Sequence, residues 1–111
     1  MTDQTRPRLI VAMDHALEMG PVVGLEDPGR VITQAIAAGA DGILTSPGIA
    51  KRYRGLLSGT RVYLRLDVQA STREMPGEMR LLYSAEYAAA VGATGVACMG
   101  YIGSEWELDT L

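Results

Sequence analysis

The 111-residue sequence contains no phenylalanine, one tryptophan, one histidine, one cysteine and one lysine. The single cysteine, Cys98, excludes an internal disulfide and any metal site built from several cysteines. No apolar run approaches the ~18 residues of a membrane span, and no apolar segment typical of a secretory signal follows the short polar N-terminus. Ten basic residues, scattered among thirteen acidic ones, leave no footprint for nucleic acid or an anionic membrane. We therefore expect a cytoplasmic globular protein that binds neither.

Four short apolar runs, each about as long as one strand, recur along the chain. They are "LIVAM" at 9–13, "GILTS" at 42–46, "VYLRL" at 62–66 and "GVACMG" at 95–100. The first and last show no clean alternation of apolar and polar residues, which is typical of strands covered on both faces in a parallel sheet.

Helix signals lie between these runs. Asp27 is placed as an N-cap before Pro28, and an apolar stripe follows until Gly39. A shorter helix is predicted within 47–59, and a longer one within 76–93 that stops at Gly92. Ser104 and Glu107 match a capping box that would open a last helix.

The resulting order, βαβαβαβ and a helix start, predicts a parallel sheet with right-handed crossovers. A weak internal repeat, "AAGADGIL" at 37–44 and "AVGATGVA" at 90–97, marks two helix ends that lead directly into strands. An open doubly wound sheet and a (β/α)8 barrel both fit. No glycine-rich phosphate motif follows the first strand, whereas polar residues follow several strands, as on the rim of a barrel. We predict an α/β fold in which residues 1–111 form the N-terminal half of a TIM barrel, ending inside its fourth helix.

The polar residues after the first strand are Asp14 and His15. A carboxylate at a barrel mouth could orient a lysine, transfer a proton or hold a metal ion. Alternatively, Asp14 caps the turn and His15 binds a loop carbonyl. Ser46, after the second strand, is either a site hydroxyl or a helix cap.

The third strand carries Tyr63, Arg65 and Asp67 on one face, because side chains alternate along a strand. A charge inside a covered strand is unfavourable unless it is paired, so this face is placed toward a wet barrel interior, with Asp67 as a ligand contact. The alternative is that Arg65 and Asp67 pair with each other or with neighbouring strands. Tyr101 and Ser104 follow the fourth strand and complete the candidate rim.

Two further reactive groups are expected to be inert. Lys51, the only lysine, lies beside Arg52 on a helix predicted to be solvated, which disfavours the pKa depression of an imine-forming amine. Cys98 lies among small apolar residues and is expected to be a buried thiol. Met13, Ile43 or Leu44, and Cys98 are expected to face the barrel interior.

The stretch "MDHALEMGPVVGLEDP" resembles the first strand and loop of the archaeal-type class I fructose-bisphosphate aldolases, a family that includes amino-dideoxy-heptulosonate synthases and the phospho-autoinducer-2 thiolase. The resemblance continues in "AAGADGILTSPGIAKRY" and in "VGATGVACMGYIGSEWE", with its Y-x-G-S ending at Tyr101, Gly103 and Ser104. The third strand and its loop match poorly, and Ala16 stands where the family has glycine.

The resemblance implies carbon–carbon bond cleavage or formation through a lysine imine on a phosphorylated keto-sugar, within carbohydrate metabolism. Asp14 matches the family aspartate beside the imine lysine, accompanied by His15, and these are the candidate catalytic residues. Ser46, Asp67, Tyr101 and Ser104 are the candidate substrate contacts. No metal or cofactor is expected. The family places its lysine on the sixth strand, so this chain alone is expected to be inactive. The alternative is a non-catalytic half-barrel that self-associates or pairs with a complementary chain.

Overall fold

The structure, a computed structural model, describes residues 8–69, 79–100 and 102–103. Within these ranges the elements follow one another along the chain in the order β1 (Ile10–Ala12), α1 (Ala16–Met19), α2 (Pro28–Ala37), β2 (Gly42–Thr45), α3 (Pro47–Arg52), β3 (Arg61–Arg65), β4 (Asp67–Gln69), β5 (Met79–Leu81), α4 (Ala85–Val91) and β6 (Gly95–Ala97).

Four of these strands form one parallel sheet in the order β1-β2-β3-β6. They coincide with the four apolar runs of the sequence, so the predicted parallel α/β architecture is confirmed. Ile43 of β2 lies opposite Val11 of β1 and Val62 of β3. Among the described strands, β1 and β6 are the edges of this sheet.

The hydrophobic core lies on the side of the sheet that the helices cover. Its buried members are Met13, Ile32, Ile43, Ala50, Leu57, Val62, Leu64, Leu66 and Ala88. Met13 therefore packs under the helices, and its expected position in the barrel interior is wrong. Of the two alternatives on β2, Ile43 packs under the helices. Leu44, which alternates with Ile43 along β2, lies on the opposite face and is half-buried. None of the described helices is long and apolar enough to cross a membrane.

The helix α2 begins as the sequence predicts. Oδ1 of Asp27 accepts a hydrogen bond from the Arg30 N–H at 3.2 Å, and Pro28 occupies the first turn, where its missing N–H leaves no donor unpaired. Ile32, on the apolar stripe, is fully buried. This cap and stripe fix the direction in which the chain returns to the sheet.

The internal repeat has a physical explanation at the helix ends. At the end of α2 the Ala40 N–H donates to the Ala35 carbonyl, and at the end of α4 the Ala93 N–H donates to the Ala88 carbonyl, each at 3.0 Å. Gly39 and Gly92 adopt φ of 99° and 96° between these bonds. This is the Schellman arrangement, in which a left-handed glycine satisfies the last helix carbonyls.

The polar residue of each repeat starts the next strand. Asp41 accepts from the Leu9 N–H at 2.7 Å and donates its own N–H to the Leu9 carbonyl at 2.8 Å. Thr94 makes the same reciprocal pair with Val62, at 3.0 and 2.7 Å. Each repeat therefore docks one new strand against an existing one.

The second glycine of each repeat makes room for Tyr63 on the face opposite the helices. A Cβ at Gly42 would lie 2.9 Å from the Tyr63 ring, and one at Gly95 would lie 3.0 Å from it. Gly42 opens β2 and Gly95 opens β6, on either side of β3. The tyrosine ring consequently packs against the starts of both neighbouring strands, β2 and β6.

The predicted helix over 76–93 is wrong in its first part. Met79–Leu81 is the strand β5, which pairs antiparallel with β4. The helix α4 begins only after Ser84, whose Oγ accepts from the Tyr87 N–H at 3.0 Å. The N–H groups of Leu82 and Tyr83 both donate to the Leu66 carbonyl, so a tertiary contact with the end of β3 holds this segment extended.

Two other predicted helices differ from expectation or cannot be compared. The helix α3 ends at Arg52 rather than near 58, and turns carry the chain on to Gly59, which has φ of 81°. Leu57 in these turns is still buried in the core. The helix predicted to open at Ser104 lies outside the described residues.

Candidate active site at the carboxyl ends of the strands

Asp14 lies at the carboxyl end of β1. The Met13 N–H donates to the Leu44 carbonyl at 2.8 Å and extends the parallel pairing by one residue, after which the chain turns into α1. The Asp14 side chain is 12% exposed, and its Oδ2 accepts from Nη1 of Arg65 at 3.0 Å. The rim position predicted for Asp14 is thus the position that the structure shows.

Arg65, the last residue of β3, contacts two carboxylates. Nη1 reaches Asp14, and Nε donates to Oδ1 of Asp67. The Arg65 side chain is 13% exposed, so the guanidinium is largely removed from water. Both carboxylates stabilise the buried charge, as a desolvated cation requires.

Asp67 is fully buried and both of its oxygens are engaged. Oδ1 accepts from Arg65, and Oδ2 accepts from the Met99 N–H at 2.7 Å. The carboxylate thereby joins the end of β3 to the residues after β6. Of the two sequence hypotheses for this residue, the structure shows the ion pair with Arg65. A substrate contact by Asp67 stays a prediction, and it would compete with these two protein contacts.

Ser46 lies after β2 and caps the helix α3. Its Oγ accepts from the Ile49 N–H at 3.4 Å. The predicted cap is thus confirmed, and Ser46 also lines a cavity with Asp14. Its role as a substrate contact stays a prediction.

His15 is exposed and occupies the N-cap position of α1 without a side-chain capping bond. It is not among the described residues that line the cavity beside Asp14. The structure therefore brings Asp14 and Ser46 together but leaves His15 facing solvent, and a catalytic part for His15 stays a prediction.

The cavity has a volume of about 140 Å³ and lies above the ends of β1 and β2. Its described lining is mostly apolar and consists of Met13, Asp14, Ala16, Leu17, Leu25, Pro28, Ser46 and Ile49. A carboxylate and a hydroxyl in an otherwise apolar wall can orient a small polar group by hydrogen bonds while excluding most water. In the described part of the chain, no three acidic, histidine or cysteine side chains are arranged to hold a metal ion.

The two reactive groups expected to be inert lie apart from this cavity. Lys51 is exposed on α3, and its Nζ donates to the Tyr87 hydroxyl of α4 at 2.8 Å. Cys98 is exposed, so its expected burial is wrong. The surrounding protein nevertheless raises the pKa of the Cys98 thiol by desolvation, and Asp67 raises it further while Arg65 lowers it. A raised pKa disfavours the reactive thiolate at neutral pH.

Tyr101 and Ser104, the remaining candidate contacts, lie outside the described residues. Arg65 is the residue next to Asp14 that the sequence predicts only in part: pairing with Asp67 or with a neighbouring strand is expected, but Asp14 is not identified as the partner. The available signal was a lone arginine inside a strand with a carboxylate two residues later. The contact with Asp14, 51 positions away, has no counterpart in local sequence.

Known proteins resemble this chain over nearly its whole length. A family model described as DeoC/LacD family aldolase matches residues 8–110. The 2-amino-3,7-dideoxy-D-threo-hept-6-ulosonate synthase of Halobacterium salinarum is 30% identical over 103 residues, covering 93% of this chain and 39% of that protein. Synthase 1 of Archaeoglobus fulgidus is 29% identical over 104 residues, with the same two coverages.

Solved structures show the same relationship. A crystal structure of an archaeal fructose 1,6-bisphosphate aldolase superposes with a TM-score of 0.79 at 28% identity, covering 93% of this chain and 42% of the other. A second, in which the catalytic lysine is bound covalently to the carbinolamine intermediate of the substrate, gives 0.78 with the same identity and coverage. The chain thus spans about two fifths of the length of these relatives. Its parallel βα units are part of a TIM-barrel fold, as predicted, and the chain belongs to the DeoC/LacD aldolase family.

Proposed function

We propose that this chain contributes Asp14 and its cavity to a class I aldolase site, where a carbon–carbon bond of a phosphorylated keto-sugar is broken or formed through a lysine imine. The observation that carries the proposal is the Asp14 carboxylate, which is largely buried at the end of β1 and lines an apolar cavity. Family membership supports the reaction class.

In this chemistry a lysine amine adds to the substrate carbonyl, the carbinolamine loses water, and the protonated imine accepts the electron pair of the bond that breaks. Each step moves a proton between substrate oxygen or nitrogen and a protein group. Asp14 is the described carboxylate that lines the cavity, and we assign to it the transfer of such a proton.

The imine lysine is not expected from Lys51. That amine is exposed and hydrogen-bonded to the Tyr87 hydroxyl on the outer helices, away from the cavity beside Asp14. The proposal therefore places the lysine outside these 111 residues, either further along the same polypeptide or on another chain.

A chimera with the remaining strands of the Halobacterium synthase tests this proposal. Borohydride reduction in the presence of dihydroxyacetone phosphate should trap a stoichiometric adduct on a lysine of the added half, seen by intact mass. Asp14→Ala should slow turnover of the chimera far more than it lowers the melting temperature. Asp27→Asn removes the same charge but keeps a good N-cap, and should leave both unchanged.

The 111-residue chain alone should show no adduct. A stoichiometric adduct at Lys51 of the chain alone would contradict the placement of the lysine. Equal losses of activity and melting temperature in Asp14→Ala would return Asp14 to a structural role.

A second candidate is a non-catalytic half-barrel that pairs with itself or with a complementary chain. It is favoured by apolar side chains on the edge strands, since Ile10 of β1 is 47% exposed and Val96 of β6 is 45% exposed. In that case the chimera would assemble without trapping substrate.

A further inference from the structure

The two oxygens of Asp14 are used unequally. Oδ2 accepts from Arg65 at 3.0 Å, whereas no described residue donates a hydrogen bond to Oδ1. Asp14 also lines the cavity. Oδ1 is therefore the oxygen left for a ligand, and its direction depends on what holds Oδ2.

Arg65 is itself held from behind. Its Nε donates to the fully buried Asp67, and the second oxygen of Asp67 accepts from the Met99 N–H at 2.7 Å. The backbone after β6 thus fixes Asp67, Asp67 fixes the guanidinium, and the guanidinium meets Asp14. Each link joins a buried or largely buried group, so solvent competes weakly with it.

The geometry requires an arginine. Asp14 follows β1 and Arg65 ends β3, with β2 between them. Two inter-strand spacings amount to roughly 9.6 Å, which a long side chain must cross. The planar guanidinium offers separate nitrogens to two carboxylates at once, whereas a lysine ammonium is a single point charge.

We infer that Arg65 is a positioning residue for Asp14: it binds Oδ2 and thereby turns Oδ1 toward the cavity, so that the carboxylate acts through one defined oxygen. The inference rests on the proposed function for the use of Oδ1, but the orientation itself is a property of this chain. Arg65 touches no reacting atom in this account and acts through Asp14.

The side-chain χ1 of Asp14, measured by NMR from its three-bond couplings to Cγ in the 111-residue chain, tests the inference without any substrate. Removing Arg65 alone would leave the buried Asp67 charge without its partner, which is strongly destabilising. The comparison therefore uses Asp67→Asn as the background and adds Arg65→Met to it. Asparagine keeps an oxygen for the Met99 N–H.

We expect the wild type to show the couplings of a single Asp14 rotamer. Asp67→Asn removes the contact with Nε of Arg65 but leaves Nη1 of Arg65 on Oδ2 of Asp14, so the same rotamer should still predominate, with couplings closer to those of the wild type than in the double variant. Asp67→Asn with Arg65→Met should show intermediate, rotamer-averaged couplings at Asp14, while the couplings of the distant Asp41 stay unchanged. Arg65→Lys in the wild-type background keeps the charge beside Asp67 and should also give averaged couplings at Asp14, so the test survives if the double variant does not fold.

A single Asp14 rotamer in the variants that lack Arg65 would overturn the inference. A merely structural Arg65 would change the hydrogen exchange of the Met99 amide and leave the Asp14 couplings intact. Because no turnover is measured, this result is independent of the trapping experiment. Asp14 can have a single rotamer although no imine forms, and an imine can form although Asp14 has no single rotamer.

Discussion

Asp14 and Asp67 are carboxylates in one ion-pair network, but they differ in burial and in the number of protein groups that they bind. Asp67 satisfies Arg65 and the Met99 N–H from a fully buried position. Asp14 accepts a hydrogen bond from Arg65 through Oδ2, its side chain is 12% exposed, and it lines the cavity. At the scale of single residues, Asp67 is therefore expected to serve stability and Asp14 to serve the site.

Asp67→Ala should lower the free energy of unfolding by about 3–5 kcal/mol, because it leaves a largely buried arginine charge and a backbone N–H without that partner. Asp14→Ala should lower it by about 1–2 kcal/mol, since one charge-assisted hydrogen bond is lost and Arg65 keeps Asp67. Urea denaturation followed by circular dichroism measures both. Equal losses would show that Asp14 is as structural as Asp67.

The reactivity of the Cys98 thiol is expected to depend on the charge of Asp67. The negative Asp67 raises the pKa of the Cys98 thiol, so Asp67→Asn should lower that pKa and increase the thiolate fraction at pH 8. Alkylation by iodoacetamide at this single cysteine should then be faster than in the wild type. Asp27→Asn, an equal charge change on α2, should leave the rate unchanged. A slower reaction in Asp67→Asn would contradict the sign of the interaction.

At the scale of elements, the same short device is used twice. A left-handed glycine ends a helix, and the polar residue two positions later makes a reciprocal pair of hydrogen bonds with a residue at the start of the strand that the next strand will pair with, as Asp41 does with Leu9 and Thr94 with Val62. A glycine at the next position then leaves space for Tyr63. The repeat in the sequence is thus a repeat of local chain geometry.

Gly39→Ala should destabilise the chain by roughly 1–2 kcal/mol through backbone strain. The φ of Gly39 is 99°, and nothing lies within 4 Å of an added Cβ, so no clash contributes. Gly48→Ala is the matched control: its Cβ also meets nothing within 4 Å, and no positive φ applies. Gly48→Ala should be neutral or slightly stabilising. Similar thermal shifts for the two variants would remove the strain explanation.

The strand β5 shows the limit of reading elements from their own residues. "MRLL" suits a helix as well as a strand, and the strong start signal is Ser84, which caps α4 from Ala85. The extended form of 79–81 depends on pairing with β4 and on the Leu66 carbonyl. Such a choice is made by a tertiary contact, which local propensity does not contain.

At the scale of the whole molecule, the described sheet is covered on one face and open at two edges. Among the described strands, β1 and β6 each pair with a neighbour on one side only, and they carry exposed apolar side chains, Ile10 and Val96. Exposed edges of this kind promote pairing with another chain. Burial of apolar area stabilises by about 25 cal/mol per Å², so association offers a gain that the isolated sheet lacks.

We therefore expect the 111-residue chain to self-associate or to bind a complementary half-barrel. Sedimentation velocity at low micromolar concentration should show species larger than 11.9 kDa. Ile10→Lys, which places a charge on the β1 edge, should shift the distribution toward the monomer, whereas Val23→Lys, at a 93% exposed position outside the strands, should not. A cooperatively melting monomer of the wild type would contradict this expectation.

The features that depend on neighbouring residues are predictable from the sequence alone. The four parallel strands follow from short apolar runs, the start of α2 from Asp27 and Pro28, and two helix ends from Gly39 and Gly92. The position of Asp14 at the rim follows from the end of its strand. Each of these rests on hydrophobic pattern or backbone sterics within a few residues.

The features that depend on residues far apart in the chain are set by tertiary contacts. The network joins Asp14 to Arg65, 51 positions away, and Asp67 to Met99, 32 positions away. Three further features depend on tertiary contacts in the same way: the packing of Met13 against the helices, the exposure of Cys98 and the formation of strand β5. A buried charge is satisfied by whichever partner the fold brings within hydrogen-bond distance, and that partner is set by the sheet order rather than by the residues beside it.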